Sequence, residues 1–368
     1  MNDEPNPPYI STLRAVDAWP EPHREVLSRI MDDLTRANRS ETLVALFRER
    51  RQHYVQCLAL TIIDGLPEEA QIALWRSMLL HQHWCVRARA AEALNTRLHA
   101  VKPLWSLVID ALTDPIAAVR CAATKTIGVF DPYRASHSLM LRLHDRNTFV
   151  RIAAVEALAP IQDTHVRNAV LERLDDPDWF VRTSTMESLV TANAQDAVPH
   201  IIARLTDRAE PSRRIAAECL GKLGDSHAIA PLIARVPRER QATACAAMVE
   251  ALGHLGDQRV VPLLLRTFQR TRFRSGFDAN VRRSVLIALG NLAVIEPIIR
   301  ALQHDDWLTR ANAASILGHI QAYEAQEALH EALNDSYIEF NTYPVRDAAA
   351  QALAKLKESG ATHGPVAR

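Results

Sequence analysis

The stretch Asp176-Pro177-Asp178-Trp179-Phe180-Val181-Arg182, with a helical run to Leu189 behind it, recurs in diverged form along most of this chain. With Arg182 as position zero, an apolar residue stands at minus one and leucine or isoleucine at plus seven. The same frame fits Arg87, Arg120, Arg151, Arg213, Arg282, Arg310 and Arg346, with Cys245 filling the slot once and Arg51 a plausible earlier member. From Arg87 the successive anchors are 33, 31, 31, 31, 32, 37, 28 and 36 residues apart. A near-constant period of this size constrains the fold more than any other feature. One short unit cannot bury its own apolar face, so units must stack on their neighbours.

Each unit reads as two helices. In the second, apolar residues at minus one, plus three, plus seven and plus ten share a stripe, as in Val150, Ala154, Leu158 and Ile161. An amphipathic run precedes it, as in Val198–Leu205. Prolines stand early in these first helices (Pro103, Pro199, Pro231, Pro262, Pro297), where a missing amide loses no helical bond. Glycine recurs at plus eight (Gly128, Gly221, Gly253, Gly290, Gly318), which lets helices approach closely. Gly224 and Gly256, each followed by Asp, read as helix C-caps. Asp114, Asp145, Asp176 and Asp207 sit six residues before the anchor, placed to cap the second helix. The anchor arginine lies in a first helical turn, where the helix dipole disfavours a cation. An acidic partner is therefore expected, most simply the Asp of an adjacent repeat.

These features resemble the HEAT-repeat family, in particular the short bacterial HEAT-like units of phycobilin lyase subunits. The motif around Trp179, the run Ala153–Leu158 and the run Cys219–Asp225 carry the likeness, which covers residues 80–357 well and 20–80 weakly. It implies an all-α fold: a right-handed α-solenoid of about nine or ten helix pairs in one continuous domain. The expected organisation is a loose segment over 1–20, atypical capping repeats over 21–80, and regular repeats over 81–260. An arginine-rich extended repeat over 261–292 and C-terminal repeats over 293–357 follow, with a disordered tail over 358–368. Within the cap, helices are expected near Glu25–Thr35, Thr42–Ile63 and Glu68–Leu80. The family hosts lyases, regulators, assembly factors and adaptors alike, so it does not choose a function.

Composition narrows the classes. Lys plus Arg equals Asp plus Glu at 43 each, which argues against a dedicated nucleic-acid binder. The five cysteines show no paired spacing, which fits a reducing compartment. Residues 1–8 have neither a basic region nor an apolar core, so no signal peptide is expected there, and no run reaches the length of a membrane span. A soluble, cytoplasmic, bacterial protein is the expectation.

Four features compete for function. Arg266, Arg270, Arg272, Arg274, Arg282 and Arg283, interleaved with Phe268, Phe273 and Phe277, could bind an anion or an acidic partner, or cover helix ends as a solvated loop. Position plus five holds Glu92, Lys125, Glu156, Glu187, Glu218 and Glu250, off the apolar stripe. The resemblance places these carboxylates in a groove that could receive a basic helix or tail, unless they pair with arginines of adjacent repeats. Aromatics at minus three (Trp84, Trp179, Trp307, Tyr343) could face a ligand or wedge between the two helices of a unit, the commoner use. His81-Gln82-His83-Trp84-Cys85 lacks a second His/Cys cluster to complete a zinc site, so no metal and no cofactor is expected. The repeated His-Glu pairs of the HEAT-like deoxyhypusine hydroxylase and the basic face of the HEAT-like DNA glycosylases are both missing.

The leading expectation is a non-enzymatic scaffold that binds a protein partner through the glutamates and the arginine segment, with no catalytic residue. The resemblance offers one alternative, an accessory factor that delivers a prosthetic group to a protein. Binding of a phosphate-rich ligand by the arginine segment is another.

Overall fold

The computed structural model describes residues 68–270, 276–339 and 342–362. The N-terminal segment, the first two cap helices, Arg51, Arg272 and Arg274 lie outside the described residues. Among the described residues there are eighteen α-helices, and the only β pairing is a single bridge between Glu339 and Thr342. The chain divides into two compact units, Met1–Arg173 and Leu174–Arg368.

In the first unit α1 (Glu68–Leu79) and α2 (Trp84–Leu94) form a pair, followed by α3 (Leu98–Asp110) with α4 (Ala117–Phe130). Next come α5 (Ser136–Arg142) with α6 (Thr148–Leu158), and then α7 (Thr164–Leu171). The second unit holds α8 (Trp179–Thr191), α9 (Val198–Arg204), α10 (Glu210–Leu223), α11 (Ile229–Arg235) and α12 (Ala242–Leu255). It continues with α13 (Val261–Arg270), α14 (Gly276–Asn291), α15 (Glu296–Ala301), α16 (Trp307–His319), α17 (Gln326–Ala332) and α18 (Pro344–Thr362). In the first unit α2, α4 and α6 pack side by side, and in the second the even-numbered helices α8 to α18 do the same. Most odd-numbered helices pack mainly against their own partners, while α7 packs on α6 and α5. Each unit is thus an all-α solenoid.

Glycine and alanine set the spacing of the second helices. A Cβ on Gly128 would stand 2.5 Å from Ala157 Cβ, and one on Gly318 would stand 2.5 Å from Ala352 Cα. The plus-eight glycine of one repeat therefore faces the plus-six alanine of the next, as the close-approach reading requires. Gly224 and Gly256 close α10 and α12 with φ of 70° and 75°.

The arginine ladder is present in both units. Arg120 Nε and Nη2 each donate to Asp145 at 2.7 Å, and Arg182 makes the same fork to Asp207 at 2.7 Å. Arg87–Asp114 and Arg310–Asp335 repeat it. Arg213 uses Glu239 at 2.8 Å, where the next repeat has Glu in place of Asp. The remaining guanidinium nitrogen reaches back to its own turn: Arg182 Nη1 donates to Asp176 O at 2.8 Å and Pro177 O at 3.3 Å. A bidentate, buried arginine that also ties its own turn explains why this position recurs.

The aspartate at minus six does not cap the second helix directly. Asp145 accepts the amide of Asn147, and Asp207 that of Ala209, two residues on, so each holds the turn. The cap is the residue at minus four. Asn147 accepts from Phe149 and Val150, Asp178 from Phe180, and Asp306 from Thr309. The minus-six aspartate stands two residues before the cap, so its carboxylate takes the minus-four amide and leaves the first helical amides to the cap residue.

A second ladder runs along the first helices. Arg142, the last residue of α5, donates to Leu112 O at 2.6 Å, and Arg173 donates to Leu143 O at 3.2 Å. In the second unit Arg204 and Arg235 donate to Leu174 O and Leu205 O at 3.2 and 3.1 Å. Each arginine satisfies an orphan carbonyl at the C-terminal end of the preceding first helix, where a cation is also favoured.

Three local expectations change. Pro103 lies inside α3 rather than at its start, because α3 begins at Leu98, ahead of the proline. The arginine segment is no loop at its ends: α13 runs to Arg270 and α14 starts at Gly276, because the helical stripe Leu263–Leu264 simply continues. The last helix continues through Gly360 to Thr362 rather than ending at Lys357. A single glycine costs a helix only about 1 kcal/mol, too little to stop it.

Candidate partner-docking face

Two ladders and the glycine–alanine seam occupy most of each repeat. What stays accessible on the second helices are positions minus three, minus two and plus five, joined in α2 and α4 by plus one and plus two. In the first unit these residues line a groove of about 580 Å³ across α2, α4 and the start of α6. Trp84 and Phe149 stand at the helix N-termini, and Phe149 is 60% exposed. Ala88, Ala117, Ala118 and Ala122 form the floor. Arg89, Glu92 and Lys125 lie further along the helices. Cys85 and Cys121 also line it as free thiols, and Cys121 Sγ lies 3.6 Å from Phe149 O. Burial pushes the Cys121 thiol above its ordinary pKa, against the pull of Lys125, so it stays protonated at neutral pH.

In the second unit the same face is more closed. Thr183, Ser184, Ile215, Ala247 and Ser284, at plus one or plus two, are all buried. Exposed apolar groups persist at the helix starts: Trp179 at 46%, Phe180 at 41% and Leu308 at 37%.

The glutamates at plus five divide. Glu92 meets Arg89 at 3.8 Å in a largely exposed contact, which is worth little. Glu218 pairs with Arg214 at 2.6 Å, within its own helix rather than with an adjacent repeat. Glu250 accepts from Ser284 on the next second helix at 2.6 Å. Glu156 and Glu187 are exposed and, like Lys125, have no ion-pair partner among the described residues.

The minus-three aromatics each do something different. Trp84 walls the groove, and Trp179 lies on the surface with Phe180 at 5.7 Å. Trp307 stacks on Tyr337 at 4.8 Å, across to the turn after the following first helix. Tyr343 carries the Arg346 guanidinium over its ring at 4.3 Å. At 46% exposed, Trp179 is not buried between helices as a wedge would be.

The arginine segment also divides. Arg266 and Arg270, one turn apart on α13, are exposed, as is Arg283 on α14. Arg282 is 3% exposed and belongs to the ladder, donating to Thr309 Oγ1 and Asp306 Oδ2 at 2.9 Å. Buried and bonded to the next repeat, it is not available to an outside anion. Phe268 packs edge-on to His304, whose pKa is lowered by burial and by the Arg282 charge.

The residues missed by sequence reading are the groove's own: Cys85, Ala88, Arg89, Cys121 and Phe149. They occupy the minus-two, plus-one and plus-two slots, so extending the frame from minus three and plus five would have reached them.

A family model of HEAT repeats matches residues 106–190, 169–249, 198–274 and 295–363, more than half of the chain. The chain belongs to the HEAT-repeat family. Among solved structures, this HEAT-repeat protein is similar to Kap121p bound to Pho4p and to Kap121p bound to RanGTP. Both give a TM-score of 0.56, at 15% and 14% identity. Kap121p bound to the SUMO protease Ulp1p follows at 0.55 and 15%. Each alignment covers 95% of this chain but only 45%, 44% and 45% of the other, so the chain spans less than half the length of these karyopherins. At such identities the likeness is one of fold. No curated protein matches the sequence. No described helix is long and apolar enough to cross a membrane.

Proposed function

We propose that this HEAT-repeat protein is a non-enzymatic scaffold that docks a protein partner on the open face of its second helices. The observation that carries this reading is the set of exposed apolar residues at two adjacent repeat positions, minus three and minus two. Phe149 in the first unit and Trp179, Phe180 and Leu308 in the second stand at second-helix starts, 37–60% exposed. Exposed apolar groups recurring at matching repeat positions within a unit mark an interaction surface. The Kap121p structures with Pho4p and RanGTP are solenoids of this fold with a protein bound, which supports the class of partner.

On this reading Glu92 and Glu156 in the first unit, and Glu187, Glu218 and Glu250 in the second, supply acidic contacts beside the apolar ones. Arg266, Arg270 and Arg283 form a second surface suited to an acidic partner. Four free thiols among the described residues support a reducing, cytoplasmic compartment. The finer likeness to phycobilin lyase subunits would make the cargo a tetrapyrrole-bearing protein, and visible absorbance of co-purified material tests that.

The central test is affinity capture from the source cell with the wild type, a Trp179→Ala/Phe180→Ala variant and an Arg266→Glu/Arg270→Glu/Arg283→Glu variant. Loss of a stoichiometric partner from the aromatic variant is the expected result. Retention of the same partners by both variants would put docking elsewhere.

A further inference from the structure

We infer that the turn between α15 and α16 is a proton-sensitive joint of the second unit, in which His304 stands in for the ladder aspartate and releases the turn when its imidazole takes a proton. The minus-six slot elsewhere holds an acid: Asp114, Asp145, Asp207 or Glu239. Each of these does two things. It accepts the amide two residues on, at 2.8 to 3.0 Å, and it receives the preceding anchor arginine. His304, six residues before Arg310, keeps the first role and gives up the second. Its Nδ1 accepts the Asp306 amide at 3.1 Å. Arg282 passes instead to Asp306 Oδ2 and Thr309 Oγ1, each at 2.9 Å. A carboxylate accepts throughout the neutral range, whereas an imidazole nitrogen accepts only while it is unprotonated.

Among the described residues, the charges that act on this ring are Arg282 of α14, Asp305 and Asp306 of its own turn, and Arg310 of α16. Arg310 is itself held by Asp335 at 2.6 Å, and Glu296 and Arg300 of α15 pair with each other at 3.0 Å. From α13 the ring meets the uncharged Phe268. Burial, followed by the Arg282 charge, outweighs the two aspartates and holds the imidazole pKa below 6.5.

A proton on Nδ1 sets one donor against another, the ring N–H against the Asp306 amide, and puts a second cation beside Arg282. Asp306 cannot absorb that charge in place. Its Oδ2 already accepts from Arg282, from the Thr309 amide at 3.2 Å and from Thr309 Oγ1 at 2.6 Å. Turning to the imidazolium means leaving either the rung to α14 or the cap of α16. Pairing with Asp305 would not give Nδ1 back its lone pair. Protonation therefore loosens the seam between α14 and α16 from the turn outward.

The sign follows from linkage. A histidine whose folded pKa lies below its unfolded 6.5 stabilises fully above that pH and loses its contribution as pH falls through it. The ladder carboxylates have ordinary values of 3.8 and 4.5, lowered further in the fold, so they stay charged through this range.

Hydrogen exchange read by mass spectrometry on the full chain, at about pH 7.5 and about pH 5.5, tests the joint. Labelling times are scaled for the intrinsic pH dependence of exchange. The amides of residues 306–310 should lose roughly two- to tenfold protection at the lower pH, as expected for one lost hydrogen bond. The carboxylate-closed turn at residues 207–213 should not change. In His304→Asn the side-chain oxygen accepts the Asp306 amide at either pH, so the difference should vanish. NMR titration of the labelled His304 ring should give a midpoint below 6.5. Equal protection of residues 306–310 at both pH values overturns the inference, as does the same loss in His304→Asn. A ring midpoint at or above 6.5 overturns it as well, and that measurement needs no variant.

Discussion

Replacing Asp207 by Asn isolates the ladder. The Asp207 carboxylate is 4% exposed and takes two hydrogen bonds from Arg182, itself 5% exposed, each at 2.7 Å. Asparagine keeps the shape and can still accept the Ala209 amide, which now lies at 2.8 Å. It removes the charge and turns an amide donor toward guanidinium donors. Breaking a buried pair this way costs about 3–5 kcal/mol. The lower end applies, because Arg182 keeps its bonds to Asp176 O and Pro177 O. For a unit of about two hundred residues, each kcal/mol moves Tm by roughly 2–4 °C, so a drop of about 6–12 °C is expected. Removing both partners in Arg182→Met/Asp207→Leu should recover more than half of the loss, since an apolar pair leaves no stranded cation. The assay is thermal melting by circular dichroism at neutral pH, in low salt and again with about 1 M salt, where the screening length falls to about 3 Å. A buried pair keeps its effect in salt. A drop under about 2 °C, or one that vanishes in salt, would refute the view that the ladder holds adjacent repeats together.

Two further predictions concern the same seam and the same ladder. Gly253→Ala should destabilise by about 1–3 kcal/mol despite its better helix propensity. Its Cβ would stand 2.6 Å from Ala288 Cα, a backbone atom. Gly290→Ala should be near neutral, because its nearest neighbour is a methyl of Ile320 at 3.2 Å that can shift; denaturant melts giving the reverse order would overturn the packing account.

For Glu239, burial alone would raise the pKa, but the Arg213 hydrogen bond, the Gln241 amide and the Arg213 charge outweigh it, taking the carboxyl from 4.5 to about 2. With the folded value below the unfolded one, its stabilisation is complete above about pH 4.5 and is lost as pH falls toward about 2. The Tm difference between wild type and Glu239→Gln should therefore shrink across that interval; a constant difference would refute the assignment.

The repeat was legible because its physics is local in sequence. The apolar stripe, the plus-eight glycines, the αL caps at Gly224 and Gly256, and an arginine needing an acid each follow from helix periodicity and from what a first turn or a tight approach allows. The pairing of Arg120 with Asp145 and of Arg182 with Asp207 was accessible for the same reason. The partner lies one period away, so the register of the repeat determines it.

What the tertiary structure alone decided depends on how neighbouring helices close upon each other. The capping role moved from minus six to minus four because the minus-six carboxylate takes the minus-four amide. The second arginine ladder was invisible, since its acceptors are backbone carbonyls, which every residue has. The plus-five glutamates look alike in sequence, yet Glu218 meets an arginine on its own helix, Glu250 a serine on the next, and Glu156 and Glu187 face solvent. The groove could not be read at all. Ala88, Cys121 and Ala122 at plus one and plus two look like ordinary packing residues, and only their incomplete cover in the folded chain leaves them as a floor. Sequence thus determined the stacking unit and its internal bonds. Tertiary packing determined which surface was left open, because exposure is set by the neighbours a residue meets.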